Sequence, residues 1–524
     1  MKRILALLLA CLTALSLSVG LAGCKKKNDG PTPSGTTDAE SKDTGSVTTA
    51  GGDETDPVPV RENFGGADFW MVIDGGQDTR WYFDDEDPDT SSVSTLSWAF
   101  YNRNRHLEKY LNIKIHLRKL EQKYGMNSEL TMMMNAGSDT ADVVLGIAAD
   151  VMPSAIPNGY LVDLNQIDGL NLGASYWDQR IQEGYQINGK LFTLEGDFTV
   201  YDELCTYGVL ANGKLWGLWE YYDTYGSPFE VVQSGKWTYE TMCRMFKDRS
   251  DLNNGSGEAL TKESNWGLLT ESPLPYILYL GSGKSTILTQ EDKSLQLVFN
   301  EKTEYDICRD MFDKLLKGIA ENGEVLFADA SHGVLSEGGS CWGEIWGMFA
   351  NDQALFYTTT LSSSVNISSM MEGAFNVMPT PKYTEKQDGY YSYVSAYSHL
   401  PLMIPKTTLG HIERTAKIID AMGYYSRYAP KEGQRTVVTA EYEWLMINKI
   451  CQTSDDQKML ELIFAGKVYD TDGALRISGV QSAIDDLAVN RKSGELSSTL
   501  GSLRAGAMGK LTKFINDMNE KAPN

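Results

Sequence analysis

Between Phe69 and Leu145 the apolar residues alternate between two periods, and that alternation leaves the chain few architectures. Phe69 to Ile73 reads as a short apolar strand, closed by a turn at Gly75-Gly76. Leu96, Phe100, Arg103, Leu107 and Leu111 then recur at helical spacing, and Ile113, Ile115 and Leu117 alternate as a half-buried strand does. Glu129 to Met134 reads as helix, its three consecutive methionines suiting core filler better than a metal site. Asp142 to Leu145 is a strand of the fully buried type. Strand, helix, strand, helix, strand implies parallel pairing with right-handed crossovers. Open sheets of that kind bind ligands beyond the carboxyl ends of their strands, which points to Gly75–Trp81 and Gly146–Asp150.

Ahead of this pattern, Lys2 and Arg3 precede an almost wholly apolar run from Ile4 to Val19, and small residues lead to Cys24. Charge, apolar core and small-residue exit make a secretory signal peptide over residues 1–23. Leu21-Ala22-Gly23-Cys24 resembles the lipobox of bacterial lipoproteins, which implies diacylglyceryl transfer to the Cys24 thiol and cleavage before it. The run is long enough for an uncleaved membrane helix, but a small-residue exit ending on cysteine serves no purpose there. Residues 24–61, rich in Lys, Gly, Ser, Thr, Asp and Pro, cannot bury enough apolar surface to order themselves and are expected to be a disordered tether. Loss of Lys2 and Arg3 moves the net charge from −23 to −25. Nucleic acid is thereby excluded as a partner, since its binding depends on Lys and Arg. Anionic lipid would also repel the chain, so two acyl chains have to do the anchoring. The remaining cysteines, Cys205, Cys243, Cys308, Cys341 and Cys451, are odd in number and widely spaced, which shows no disulfide framework, leaves room for one bridge and fits free buried thiols better.

Five later segments carry a resemblance. Asn188 to Asp197, Ala211 to Leu215, Ser234 to Glu240 (with Thr238 as expected N-cap), Ala374 to Tyr383, and the helix His411 to Tyr424 occur in the order found in extracellular solute-binding proteins, the capture subunits of ATP-binding-cassette importers. The resemblance implies an α/β protein of the type II periplasmic-binding fold: two α/β lobes joined by crossing strands, with a ligand cleft between them. Lobe one would comprise residues 62–196 and 376–425, lobe two 197–375 and 426–524. It further implies a non-catalytic monomer, a carbohydrate as small-molecule ligand, ABC permease subunits as partners, and a lipid anchor in the cell membrane.

Other chemistry has little support. Gly281 to Thr286 contains Gly-Lys-Ser, yet the phosphate-loop glycine five positions earlier is replaced by Leu278. Gly338-Gly339-Ser340-Cys341-Trp342 misses the last glycine of a hydrolase elbow. His106, His116, His332, His399 and His411 form no zinc-protease pair, and the loop from Asp251 has Gly255, Ser256 and Lys262 where a calcium loop needs a ligand, glycine and glutamate. Asp84 to Asp89 reads as a solvated acidic loop, with a rim that attracts a cationic or calcium-bearing partner as the alternative. No metal and no cofactor is expected. Sugars present apolar faces and hydroxyl rims, so ring platforms with a few polar groups are the signal to seek among the 11 Trp and 27 Tyr. The implied cleft positions are Gln77, Arg80, Trp81, Asp150, Asp197, Tyr357, Tyr391 and Trp444. A peptide or sugar-acid cargo, or an exported glycan-active enzyme with two carboxylates across a cleft, are the alternatives.

The anchor is open to direct test. Changing Cys24→Ala should abolish incorporation of a fatty-acid probe and leave an unprocessed precursor; continued labelling of the variant would contradict lipidation at Cys24.

Overall fold

The computed structural model describes residues 56–75, 94–250, 263–329, 335, 341–431, 433–447 and 450–521. The signal segment, Cys24, the tether to residue 55, Gln77, Arg80, Trp81, the acidic run 84–89, the Asp251 loop and His332 lie outside the described residues. Among the described residues, a hairpin of Ile287–Thr289 and Leu295–Leu297 stands apart from the strands that carry the architecture: β1 Ala67–Ile73, β2 Ile113–Lys119, β3 Val143–Leu145, β4 Tyr207–Asn212, β5 Trp266–Thr270, β6 Val325–Phe327, β7 Ala354–Thr360, β8 Phe375–Pro379, β9 Ser392–Tyr393, β10 Leu402–Met403 and β11 Lys467–Val468.

The first sheet has the order β10-β3-β1-β2. β1 runs parallel to both β2 and β3, in the register Ala67 opposite Ile113 and Met71 opposite Val143, while β10 is antiparallel. Helix α1, Thr95–Leu111, buries Leu96, Phe100, Arg103, Leu107 and Leu111, the stripe read from the sequence, and Ser94 caps it by accepting from the Ser97 N–H. It ends on Asn112 in the left-handed region (φ 49°), which turns the chain at once into β2. Helix α2 spans Met126–Ala136, three residues earlier than the methionine pattern indicates. Met133 is buried and Met132 exposed, as consecutive helical positions must differ. Helix α3, Ala148–Ala155, follows β3.

The second sheet has the order β8-β4-β7-β5-β6, with β5 parallel to β6 and β7, and β4 antiparallel to β7 and β8. β7 is buried at every position and β5 likewise, the mark of strands covered on both faces. The expected lobe boundary at residue 376 falls inside β8. The helix Val437–Ile447, expected with the second lobe, packs against α1. Residues Asp56 to Glu62 are docked: the Asp56 carboxylate accepts from Ser175 and Tyr428, and Lys417 pairs with Glu62 at 2.5 Å.

Between the sheets run the segments 192–206 and 392–403. Leu194 bridges Leu402, Thr206 bridges Val394, and Ser395 N–H donates to the Cys205 carbonyl at 2.9 Å. Lys467, on the two-residue parallel pairing of β9 with β11, lies beneath this crossing. Its ammonium meets Asp178 at 2.9 Å, Glu203 at 2.8 Å, and Asp202 as well. Burial pushes the Asp178 carboxyl upward, but Lys467 and Arg180 outweigh it and hold the group well below the usual carboxylate range. Glu195, wholly buried with neither oxygen bonded, is instead raised by burial and by Asp202. The long helix Leu496–Lys521 buries Leu496, Leu500, Ala507, Leu511, Phe514 and Met518. One end packs on the helices Lys302–Leu315 and Val480–Val489; at the other, Lys406 donates to the Lys521 carbonyl at 2.9 Å, beside Gly159.

Removing the buried ammonium that three carboxylates share should cost more than any surface pair. Lys467→Met is expected to lose about 3–5 kcal/mol in a denaturant titration, because uncompensated charge remains buried. A loss under about 1 kcal/mol, the range of exposed pairs, would contradict the role given to Lys467.

Candidate functional site

The carboxyl edge of the first sheet begins at Asp74, the residue after β1. Asp74 Oδ1 accepts from the backbone N–H of Gly75 at 3.0 Å and of Gly125 at 2.9 Å, and Oδ2 from that of Ile147 at 3.4 Å. Gly125 and Ile147 are the N-caps of α2 and α3, so one carboxylate serves the heads of both helices. Gly75 has no room for a side chain: a Cβ there would lie 2.4 Å from the Leu120 carbonyl oxygen. Asp150 stands in the first turn of α3, and its Oδ2 is buried without a hydrogen-bond partner. Tyr124 is 46% exposed on the same edge, with the Lys123 ammonium 5.1 Å from its ring centre.

The carboxyl edge of the second sheet repeats the theme. Glu271, next after β5, accepts from Tyr207 Oη at 2.8 Å and from Thr359 Oγ1 at 3.2 Å. Burial lifts its carboxyl to about 7, the two donated hydrogen bonds opposing and Asp329 adding. Asp329, two residues beyond β6, accepts from the Ser272 N–H at 3.0 Å, ahead of the helix Leu274–Leu280. Helix Cys341–Ala350 places the half-buried rings of Trp342 and Trp346 on this side, Trp346 beside the Tyr357 hydroxyl.

The crossing segments join the two edges. Ala149 N–H donates to the Ala396 carbonyl at 2.9 Å, and Tyr393 stacks on Tyr207 at 6.0 Å with planes 6° apart. Tyr397 follows, half-buried, with the Arg476 guanidinium 5.8 Å from its ring centre. Arg476 is in the left-handed region (φ 54°) at the end of the helix Thr471–Leu475, which packs on α3. Carboxylates, hydroxyls and half-exposed rings thus converge where the two sheets meet. That combination suits a ligand with hydroxyl rims and apolar faces.

The residues anticipated from the sequence fall into separate surroundings. Asp150 is on the first-sheet edge. Asp197 is held by Arg427, with Nε to Oδ2 at 2.5 Å and Nη2 to Oδ1 at 3.1 Å. Tyr357 is fully buried on β7, its ring 6.1 Å from that of Phe349. Tyr391 donates to Asp388 at 2.9 Å and its ring lies over Gly283. Trp444 is buried in the core on the helix Val437–Ile447. Tyr124, Trp342, Trp346, Tyr397 and Arg476 are not among the cleft positions that the resemblance implies; of these, only Tyr397 follows a run of tyrosines in the sequence, Tyr390, Tyr391 and Tyr393.

The rejected motifs have structural explanations. Gly281 follows the C-terminal end of the helix Leu274–Leu280, the wrong helix end for a phosphate, and the Ser285 and Thr286 hydroxyls donate to Asp470 at 3.1 Å and to Asp472 at 2.5 Å. His399 is buried with Nδ1 2.8 Å from the Ser395 carbonyl, and burial lowers its imidazole to about 4. The five cysteines are free thiols. Among the described residues no cluster of His, Cys, Asp and Glu could hold a metal ion, and no helix is long and apolar enough to cross a membrane.

Glu271 sets a pH dependence. The folded carboxyl keeps its proton to about 7 and the unfolded one only to about 4.3, so stability falls as pH rises through that window. Glu271→Gln should flatten the decline in melting temperature from pH 4.5 to 7; an unchanged slope would contradict the burial of this carboxyl.

Neither a family model nor a curated protein matches this chain. Solved structures do match. The cyclo/maltodextrin-binding protein complexed with maltotetraose aligns with a TM-score of 0.51 over 88% of this chain and 99% of its own, at 14% identity. The galacto-N-biose-/lacto-N-biose I-binding protein of the ABC transporter from Bifidobacterium longum, in complex with lacto-N-biose, aligns with a TM-score of 0.51 over 86% and 99%, at 10% identity. The chain therefore has the α/β fold of these sugar-binding proteins, the type II periplasmic-binding fold.

Proposed function

We propose that this chain is a non-catalytic extracellular solute-binding protein, anchored to the cell membrane through lipidated Cys24, that captures an oligosaccharide and hands it to the permease subunits of an ABC importer. The observation that carries the reading is the convergence of two carboxyl edges on one crossing, with Tyr124, Tyr397, Trp342 and Trp346 as ring surfaces among carboxylate and hydroxyl groups. The fold shared with maltotetraose and lacto-N-biose complexes supports it. Residues 62–196 with 376–425, and 197–375 with 426–524, would be the two lobes, acting in a monomer. Lobes joined by a few crossing segments can hinge, and a cargo favours the closed form by its differential affinity for it.

A glycan panel scored by thermal shift tests the reading. A cognate oligosaccharide at a hundredfold excess over its dissociation constant should add about 2.7 kcal/mol of stability. The incubated glycan should show no new reducing ends. Reducing ends appearing with time, or stabilisation by peptides and by no glycan, would overturn it.

A further inference from the structure

Among the described residues, the buried group beneath the crossing holds more carboxyls than cations. Asp178, Asp202 and Glu203 share the Lys467 ammonium, and Arg180 also holds Asp178, Nε to Oδ1 at 2.8 Å. Two further carboxyls belong to the same group. Glu195, on the segment 192–206, is wholly buried, and neither of its oxygens has a hydrogen-bond partner. Glu441, on the helix Val437–Ile447, is 8% exposed, with Oε1 out of solvent and unpartnered. Burial without a partner disfavours the ionised form of a carboxyl.

The charges around the two come from every side. Asp178, Asp202 and Lys467 act on Glu195, with Tyr185, Tyr469 and Cys205 beside it. Asp197, Asp202, Glu203 and Lys467 surround Glu441, and Arg427 of the helix Ile412–Arg427 takes up Asp197. From α1, Arg103 donates to the Phe198 carbonyl at 2.7 Å, and burial holds the His106 imidazole down. Tyr442 and Glu443 share the Glu441 helix; Glu443 pairs with Arg435 at 2.9 Å, and Glu461 acts on Tyr442 from the helix Ser454–Ala465.

We propose that the crossing is a proton-operated latch: Glu195 and Glu441 hold protons while the segments 192–206 and 392–403 are joined, and release them when the segments part. Glu195 directly follows Leu194, which bridges Leu402, and Glu441 reaches the group from a helix packed on α1, so parting would bring water to both carboxyls. Burial and the neighbouring Asp202 and Asp197, opposed by Lys467, lift the Glu441 carboxyl to about 8. Glu195 is raised by burial and Asp202 in the same way. In water a glutamate ionises at about 4.3. Both groups are thus raised in the joined state, so the latch is firmest below about pH 4.3 and weakens as pH rises toward about 8. It is independent of the cargo proposed above.

Amide hydrogen exchange of the unliganded protein reads the latch at Leu194, Leu402 and Ser395, whose N–H groups bond across it at 2.9 Å. These amides should exchange ahead of those of β1, the mark of opening short of unfolding. Their protection, corrected for intrinsic rates, should fall more than tenfold per pH unit from about pH 5.5 to 7.5, because two protons leave on opening. Glu195→Gln and Glu441→Gln keep the shape of the side chain without its proton, and each should bring the fall to about tenfold per unit or less. A wild-type fall of tenfold per unit or less overturns the latch, and so does a folded variant that keeps the wild-type slope. Crossing amides that exchange only together with β1 also overturn it. Should one variant fail to fold, the other variant and the wild-type slope decide.

Discussion

A single buried ammonium, that of Lys467, holds the crossing between the two sheets together. It is shared by Asp178, Asp202 and Glu203, which come from two different helical turns, while Lys467 itself lies on the strand paired with β9. Desolvating these charges costs several kcal/mol each, and Coulomb attraction repays that only when the geometry is met in full. A network of this kind therefore specifies arrangement more than it adds stability. It fixes where the chain segments leave one sheet and enter the other, and so where the two carboxyl edges face a common floor. Gly196 shows how little slack the crossing has: a Cβ there would lie 2.1 Å from the Tyr176 carbonyl oxygen.

Local periodicity made the first sheet legible. Apolar spacing located β1, α1, β2 and β3 because each element buries a face that its own residues define. Thr238 was legible as a cap for the same reason, since it accepts from the Thr241 N–H only three residues away. The site was less so. Asp197 carries the sequence signal of a cleft carboxylate, while its partner Arg427 stands 230 positions later and leaves no local signature. Tyr357 and Trp444 are buried, and an aromatic residue carries the same sequence signal whether it faces a ligand or a core. Tyr124 and Arg476 owe their positions to a loop and to a left-handed helix end, neither of which has a periodic signature.

Function follows from the same constraint. In the proposed function, the crossing segments that join the two sheets would act as a hinge, and a ligand at their boundary would touch both. Restraint comes from the long helix Leu496–Lys521, which packs against the helices of the second sheet and reaches Gly159 and Lys406 beside the first.

Lobe closure on cargo is the central claim, and an inter-sheet distance measures it most directly. Spin labels at Met132 on α2 and at Leu218, 60% and 67% exposed, would report the separation of the two halves on a background carrying Cys243→Ser. With the oligosaccharide that gives the largest thermal shift, the distance distribution should move to shorter values and narrow. A bound, stabilised protein whose distribution stays where it was without cargo would contradict closure.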